Sequence, residues 1–182
     1  LSAHKIMPPA MEAVLKEGAR LDGFICPGHV SAIAGSSIFS FIPEKYNTGC
    51  VVTGFEPTDI LQAIIMLTGQ VKRKQPALEI QYKRAVTFTG NRLALELLYD
   101  VFEPCDTTWR GFGLIPSSGL TLRRNYMRFN AESRIPVSVK PFEEDSLCLC
   151  GDILRGIKTP EDCPLFRNVC NPLNPVGACM VS

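Results

Sequence analysis

The chain has 182 residues and a mass of 20.0 kDa, room for one large domain or two small ones. Hydrophobic residues make up 46% and charged residues 20%, a globular balance that excludes disorder, collagen and coiled coil. A net charge of +1 argues against a nucleic-acid or membrane-surface footprint, and the best apolar run, Ile60 to Leu67, is interrupted by Gln62 far short of a membrane span. There is no basic-then-apolar leader and the sequence opens on Leu1, as expected of a soluble chain taken from a longer one.

Pro8 and Pro9 open a helical pattern that runs to Lys16, with Gly18 as its stop. Leu21 to Cys26, closed by Pro27, has the composition of a buried strand, and Ser31 to Phe41 is small and apolar enough for a second helix. Cys50-Val51-Val52-Thr53 predicts a β-branched strand closed by Gly54. Pro57, Thr58 and Asp59 then suit the first turn of a helix whose apolar residues recur at three and four through Leu67. Leu78 to Tyr82 and Ala85 to Phe88 have strand composition, and Asn91 to Phe102 reads as an amphipathic helix ended by Pro104. Residues 105–135 are less regular, with Gly111, Gly113, Pro116 and Gly119 in a loop, while Leu120 to Phe129 fits either strand or helix. Pro136, Pro141 and the acidic run Glu143-Glu144-Asp145 mark a linker.

Strands of four to six residues alternating with longer helices indicate βαβ units. The expectation is an α/β fold over residues 1–138, a mostly parallel sheet with helices on both faces, followed by a small cysteine-rich segment over 139–182. The composition shifts there too: residues 141–182 hold six acids against three bases, so the body carries +4 and the tail −3.

Cysteines stand at 26, 50, 105, 148, 150, 163, 170 and 179, five of them in the last 35 residues. A core-capable body with a cysteine-dense tail reads as a metal site on a cytosolic protein; small secreted disulfide domains spread their cysteines throughout. From Cys150 the gaps to Cys163, Cys170 and Cys179 are 12, 6 and 8 residues. Four thiolates converging from loops suit a cubane iron–sulfur cluster, and Gly151, Pro164, Pro172, Pro175 and Gly177 let the backbone wrap closely around sulfur. Zinc accepts the same sulfurs, although its paired Cys-x₂₋₄-Cys knuckles are absent, and disulfides or free thiols are the remaining alternatives.

Cys26-Pro27-Gly28-His29 follows one expected strand and Gly54-Phe55-Glu56-Pro57 follows the next. In open parallel sheets ligands bind beyond the carboxyl ends of the strands, so Cys26, His29 and Glu56 are candidates for a cleft site. Cys beside His suits a thiolate–imidazolium pair or a soft metal, and the carboxylate can orient the imidazole or accept a proton. The plainer alternative is a buried strand-end cysteine, a helix-capping histidine and a glutamate that complements a helix N-terminus. Tyr82-x-Arg84 and Trp109-Arg110-Gly111 are candidate anion or partner contacts. No GxGxxG, GxxxxGK[ST] or GxSxG is present.

These motifs carry a resemblance. Cys26-Pro-Gly-His29-Val-Ser, Gly54-Phe-Glu56-Pro-Thr-Asp-Ile-Leu-Gln-Ala-Ile64, Trp109-Arg110-Gly111, Cys150-Gly-Asp-Ile-Leu-Arg-Gly, Asp162-Cys-Pro-Leu-Phe and Asn174-Pro-Val-Gly-Ala-Cys179-Met-Val-Ser resemble the carboxy-terminal half of the HypD family. The match runs over nearly the whole chain. The resemblance implies a scaffold for maturation of nickel–iron hydrogenases, on which a transient iron with cyanide and carbonyl ligands is assembled. It implies a HypC-type chaperone and a HypE-type cyanide-delivery protein as partners. It also implies two similar α/β domains facing each other across a cleft, plus a third domain holding a [4Fe-4S] cluster. This chain would supply the second and third. The first domain, with the family's Cys-Gly-Gly-His and Cys-Pro-x-Cys motifs, has no counterpart in the sequence, so the piece should not complete assembly alone. The resemblance assigns Cys150, Cys163 and Cys170 to the cluster, leaves the fourth ligand between Cys179 and a residue beyond Ser182, and keeps Cys148 as an alternate. His29 and Glu56 would face the missing domain, with Cys26 in support. The competing readings are an iron–sulfur oxidoreductase with Cys26 and His29 as its redox pair, and a zinc-stabilised interaction module.

Overall fold

The β-branched run at the middle of the chain becomes the centre of a parallel sheet, as its composition demands. The computed structural model describes residues 5–135, 138 and 145–181. These form two compact units, one of residues 21–100 and one of residues 1–20 with 101–182.

In the first unit, β1 (Gly23–Pro27), β2 (Gly49–Thr53) and β3 (Leu78–Ile80) pair in the order β1-β2-β3, all parallel. The register sets Cys26 beside Val52 and Phe24 beside Cys50. Every residue of β2 is buried, which is why it reads as continuously apolar instead of alternating. One face of β2 presents Gly49, Val51 and Thr53 to α4 (Pro57–Arg73): the Thr53 hydroxyl donates to the Asp59 carbonyl at 3.0 Å. Cys50, on the other face, lies under Phe39.

The expected helix over 31–41 is two elements and the start of a third. α2 (Gly28–Ala34) stops at Gly35, whose φ of +81° no helix continues, and a 3-10 turn at Ser36–Phe39 leads into α3 (Phe41–Tyr46). α4 begins where Pro57 stands at its first turn and ends on Lys74 in the left-handed region, with Lys72 and Arg73 complementing its carboxyl end. Its Gln70 is fully buried: the side chain donates to Glu79 at 2.7 Å and accepts from the Ala77 amide at 3.1 Å. Residues 85–88 form no strand. Their carbonyls at Thr87 and Phe88 instead accept from the Ser36 and Ser37 amides, which a short loop crossing over the 3-10 turn allows.

α5 (Arg92–Val101) forms as expected, but Pro104 falls inside a strand instead of only ending the helix. In the second unit β4 (Phe102–Trp109) and β5 (Gly113–Leu122) make an antiparallel hairpin where a loop was expected. Gly111 and Gly113, at φ +85° and +69°, turn its tip, and Pro104 is tolerated because the hairpin leaves β4 an open edge. The sequence 120–129 divides between the end of β5 and a 3-10 helix at Arg124–Phe129. α1 (Met7–Lys16) packs on β5, anchored by the Ile6 amide on the Ser118 carbonyl at 2.8 Å and by Lys5 over the Trp109 ring at 4.9 Å.

The tail holds α6 (Cys150–Leu154), two 3-10 turns and short bridges around a core of Cys163, Leu165 and Cys170. The chain passes between the compact units at 20/21 and 100/101, because the hairpin gathers α1 from the far end of the sequence. The linker expected at Pro136, Pro141 and Glu143-Glu144 lies outside the described residues. Among the described residues no helix is long and apolar enough to cross a membrane.

Candidate functional site

The first constellation stands at the carboxyl ends of β1 and β2. Each strand is followed by a glycine that makes room for one aromatic ring. A Cβ on Gly28 would overlap the Thr53 carbonyl oxygen and lie 2.8 Å from Tyr82 Cδ1; one on Gly54 would overlap Asp59 Oδ2 and lie 2.9 Å from Tyr82 Cδ2. Tyr82 therefore sits across both strand ends, and the residues that follow the glycines gather round it. His29 and Phe55 stack at 4.9 Å between ring centroids with a 49° tilt, both exposed. Glu56 is exposed beside them.

Behind this surface lies a polar network. Asp59 is only 4% exposed, yet its carboxylate is fully engaged: Arg84 donates to both oxygens at 3.0 and 2.7 Å, and Gln81 Nε2 donates to Oδ1 at 2.9 Å. The Arg84 guanidinium, with Gln81 and a backbone amide, holds the Asp59 carboxyl down to about 2. Gln81 Oε1 lies 2.9 Å from the Thr53 hydroxyl and shares its one proton with the Asp59 carbonyl, which ties the network to β2. The guanidinium lies 4.2 Å over the Tyr82 ring and 3.9 Å from Glu56 Oε2.

Of the residues singled out from sequence, His29, Glu56, Tyr82 and Arg84 come together at this surface. Cys26 does not. It is fully buried, and its thiol is pushed up, chiefly by its hydrogen bond with Cys50 and then by burial. That is the opposite of the low-pKa, accessible thiolate that a Cys26–His29 redox pair needs. Asp59 and Gln81 were missed as site residues: Asp59 read as an ordinary first-turn acid, and nothing local pairs it with an arginine 25 positions on.

The second constellation is the tail. Cys150, Cys163 and Cys170 are buried and Cys148 and Cys179 half-buried, all as free thiols. Cys148 is raised by burial and then by the charges of Cys150, Cys163 and Cys170; Cys179 is pushed up to about 12 by burial, then by Cys150, Cys148 and Cys170. Cys148 packs against the core of Cys163, Leu165 and Cys170, and the Cys179 backbone meets Cys150. Two backbone amides already point at sulfur: Cys179 N–H donates to Cys150 Sγ at 3.1 Å and Val176 N–H to Cys170 Sγ at 3.3 Å. Gly177 is required by the packing, since a Cβ there would lie 2.8 Å from Cys150 Cβ and 2.9 Å from Cys148 Sγ. A cavity of about 210 Å³ opens beside them, lined by Arg110, Gly111, Cys148, Cys150, Arg155 and Gly177 among others. Arg110, from the hairpin tip, donates to the Val176 carbonyl, and Arg155 pairs with Asp152 at 2.8 Å.

Among the described residues no three His, Cys, Asp or Glu side chains gather round a single ion. A cubane makes a different demand, one thiolate for each iron, and the thiol-rich donor set with amides directed at sulfur fits that chemistry.

The family model described as HypD, hydrogenase formation hypA family, matches residues 1–182. The chain is 47% identical over 182 residues to a Methanocaldococcus jannaschii protein whose name carries the words hydrogenase expression/formation protein, covering all of this chain and 51% of that one. It is 44% identical over 187 residues to hydrogenase maturation factor HypD1 of Bradyrhizobium diazoefficiens, covering 98% and 49%. With hydrogenase maturation factor HypD of Escherichia coli the identity is 39% over 183 residues, covering 98% and 48%. The chain thus spans about half the length of the curated relatives it matches. With a family model that takes in every residue, the chain belongs to the HypD family.

Proposed function

We propose that this chain is part of a scaffold for nickel–iron hydrogenase maturation, on which an iron carrying cyanide and carbonyl ligands is assembled before transfer. The carrying observation is the placing of His29, stacked on Phe55, and of exposed Glu56, approached by Arg84, just beyond the ends of two neighbouring strands: an imidazole and a carboxylate are ligand types for a transient iron. The iron is cargo here and leaves with the product. The rest of the site, the HypC-type chaperone and the HypE-type cyanide donor would come from partners and from the part of the relatives that this chain does not span.

The resident group of this reading is a [4Fe-4S] cluster held by Cys150, Cys163, Cys170 and either Cys179 or a residue outside the chain, with Cys148 as alternate. Such a cluster supplies one-electron chemistry when bound. The chain's own part is to keep the thiolates reduced and hydrogen-bonded, to exclude bulk water behind Leu149, Ile153 and Val176, and to set cationic Arg110 and Arg155 at the cavity edge. Thiolates kept free for a cluster belong in a reducing, cytoplasmic compartment.

The test is anaerobic reconstitution with iron and sulfide. Wild-type chain should turn brown, with broad absorption near ~400 nm from thiolate-ligated iron. Cys150→Ser and Cys163→Ser should abolish the colour and Cys50→Ser should not. A colourless wild type, or one zinc per chain in its place, refutes the cluster.

A further inference from the structure

The strand-end surface carries unspent groups of both signs, and this decides what it can bind. His29 is exposed and stacks on Phe55, and among the described residues neither of its ring nitrogens has a hydrogen-bond partner. Among the described residues the Glu56 carboxylate has only the 3.9 Å approach of Arg84 as an ion pair. Arg84 spends two N–H groups on Asp59 and, with its side chain 52% exposed, turns the rest of its fork outward. Its place is not free to change. Tyr82 lies beneath it, the Asp59 carboxylate grips it from the buried side, and Gln81 fixes Asp59 in turn.

A bare metal cation would meet the guanidinium as a like charge. A bare anion would meet Glu56. A metal cation that carries anionic ligands suits both, with imidazole and carboxylate facing the metal and guanidinium N–H groups facing the anions. We infer that Arg84 is the anion-recognising residue of the strand-end site, positioned by Asp59 and Gln81 to donate hydrogen bonds to anionic ligands on a metal bound at His29. The inference rests on the proposed iron–cyanide cargo and adds the residue that distinguishes this cargo from iron alone.

The probe is aquapentacyanoferrate(II), which exchanges its one water for an imidazole nitrogen. The 182-residue chain has two histidines, His4 and His29, so ring resonances assigned with His29→Gln report each occupancy separately. Pentaammineaquaruthenium(II) binds the same nitrogen without anionic ligands and serves as the comparison. With the cyanide complex, His29 should be preferred over His4 by about tenfold, the scale of a charge-assisted hydrogen bond. Arg84→Gln and Asp59→Asn should each remove that preference while leaving or improving occupancy by the ruthenium complex. If Arg84→Gln unfolds the unit by stranding Asp59, the double substitution Asp59→Asn with Arg84→Gln reads the same quantity. A preference that survives loss of Arg84 overturns the assignment while keeping an iron site at His29. An equal loss with both probes also overturns it, because the effect is then structural. Absence of any binding at His29 overturns the assignment and the cargo reading together.

Discussion

Gly28 sets two physical effects against each other, and the structure says which wins. As the first residue of α2, it should gain from substitution by alanine, since glycine costs a helix up to about 1 kcal/mol relative to alanine. The added Cβ, however, would overlap the Thr53 carbonyl oxygen, lie 2.8 Å from Tyr82 Cδ1 and stand 3.0 Å from the Thr53 carbonyl carbon. Two of those three neighbours are backbone of the fully buried central strand and cannot swing aside. Overpacking of this kind costs about 1–3 kcal/mol, and a clash with backbone belongs at the upper end. Subtracting the helix gain leaves Gly28→Ala less stable by about 2 kcal/mol, a fall of roughly 10 °C for a unit of this size. Gly69→Ala in α4 is the matched comparison. Its Cβ would meet only the movable end of Arg73, at 3.1 Å, so propensity acts alone and should raise stability by about 0.5–1 kcal/mol. Urea unfolding followed by far-ultraviolet circular dichroism measures both. A neutral or stabilising Gly28→Ala would refute the argument that the strand ends close on Tyr82 through missing side chains.

Three further outcomes follow from the same contacts. Asp59 is held down to about 2 from an ordinary 3.8, so its pairing with Arg84 stabilises the fold fully above 3.8 and is lost as pH falls through about 2. Thermal midpoints recorded across that acid range should show a step in the wild type that Asp59→Asn lacks, and identical profiles would contradict the pairing. Cys26 and Cys50 are fully buried, so iodoacetamide at neutral pH should label Cys148 and Cys179 well before either; early labelling of Cys26 would restore the redox-pair reading. Phe39→Ala removes a fully buried ring from the core and should cost about 3–5 kcal/mol, read by the same urea titration.

The residues by themselves determined the elements whose signals are local. Val51 and Val52 are β-branched and apolar on both sides, so a buried parallel strand follows; Pro57 to Asp59 start α4 and Gly18 stops α1 with no help from neighbours. The placing of His29 and Glu56 after strands, and the crowding of five cysteines in the tail, were legible for the same reason. Tertiary structure alone decided what depends on partners distant in sequence. Pro104, Pro116 and the glycines of 111–119 read as loop, and only pairing of β4 with β5 makes them a hairpin. Cys26 reads as a strand-end nucleophile until the register sets it in the core with Cys50. Asp59 reads as a helix-start acid until Arg84 returns across β3 to grip it, because a contact between residues 25 apart is written in the path of the chain and not in either residue's neighbours.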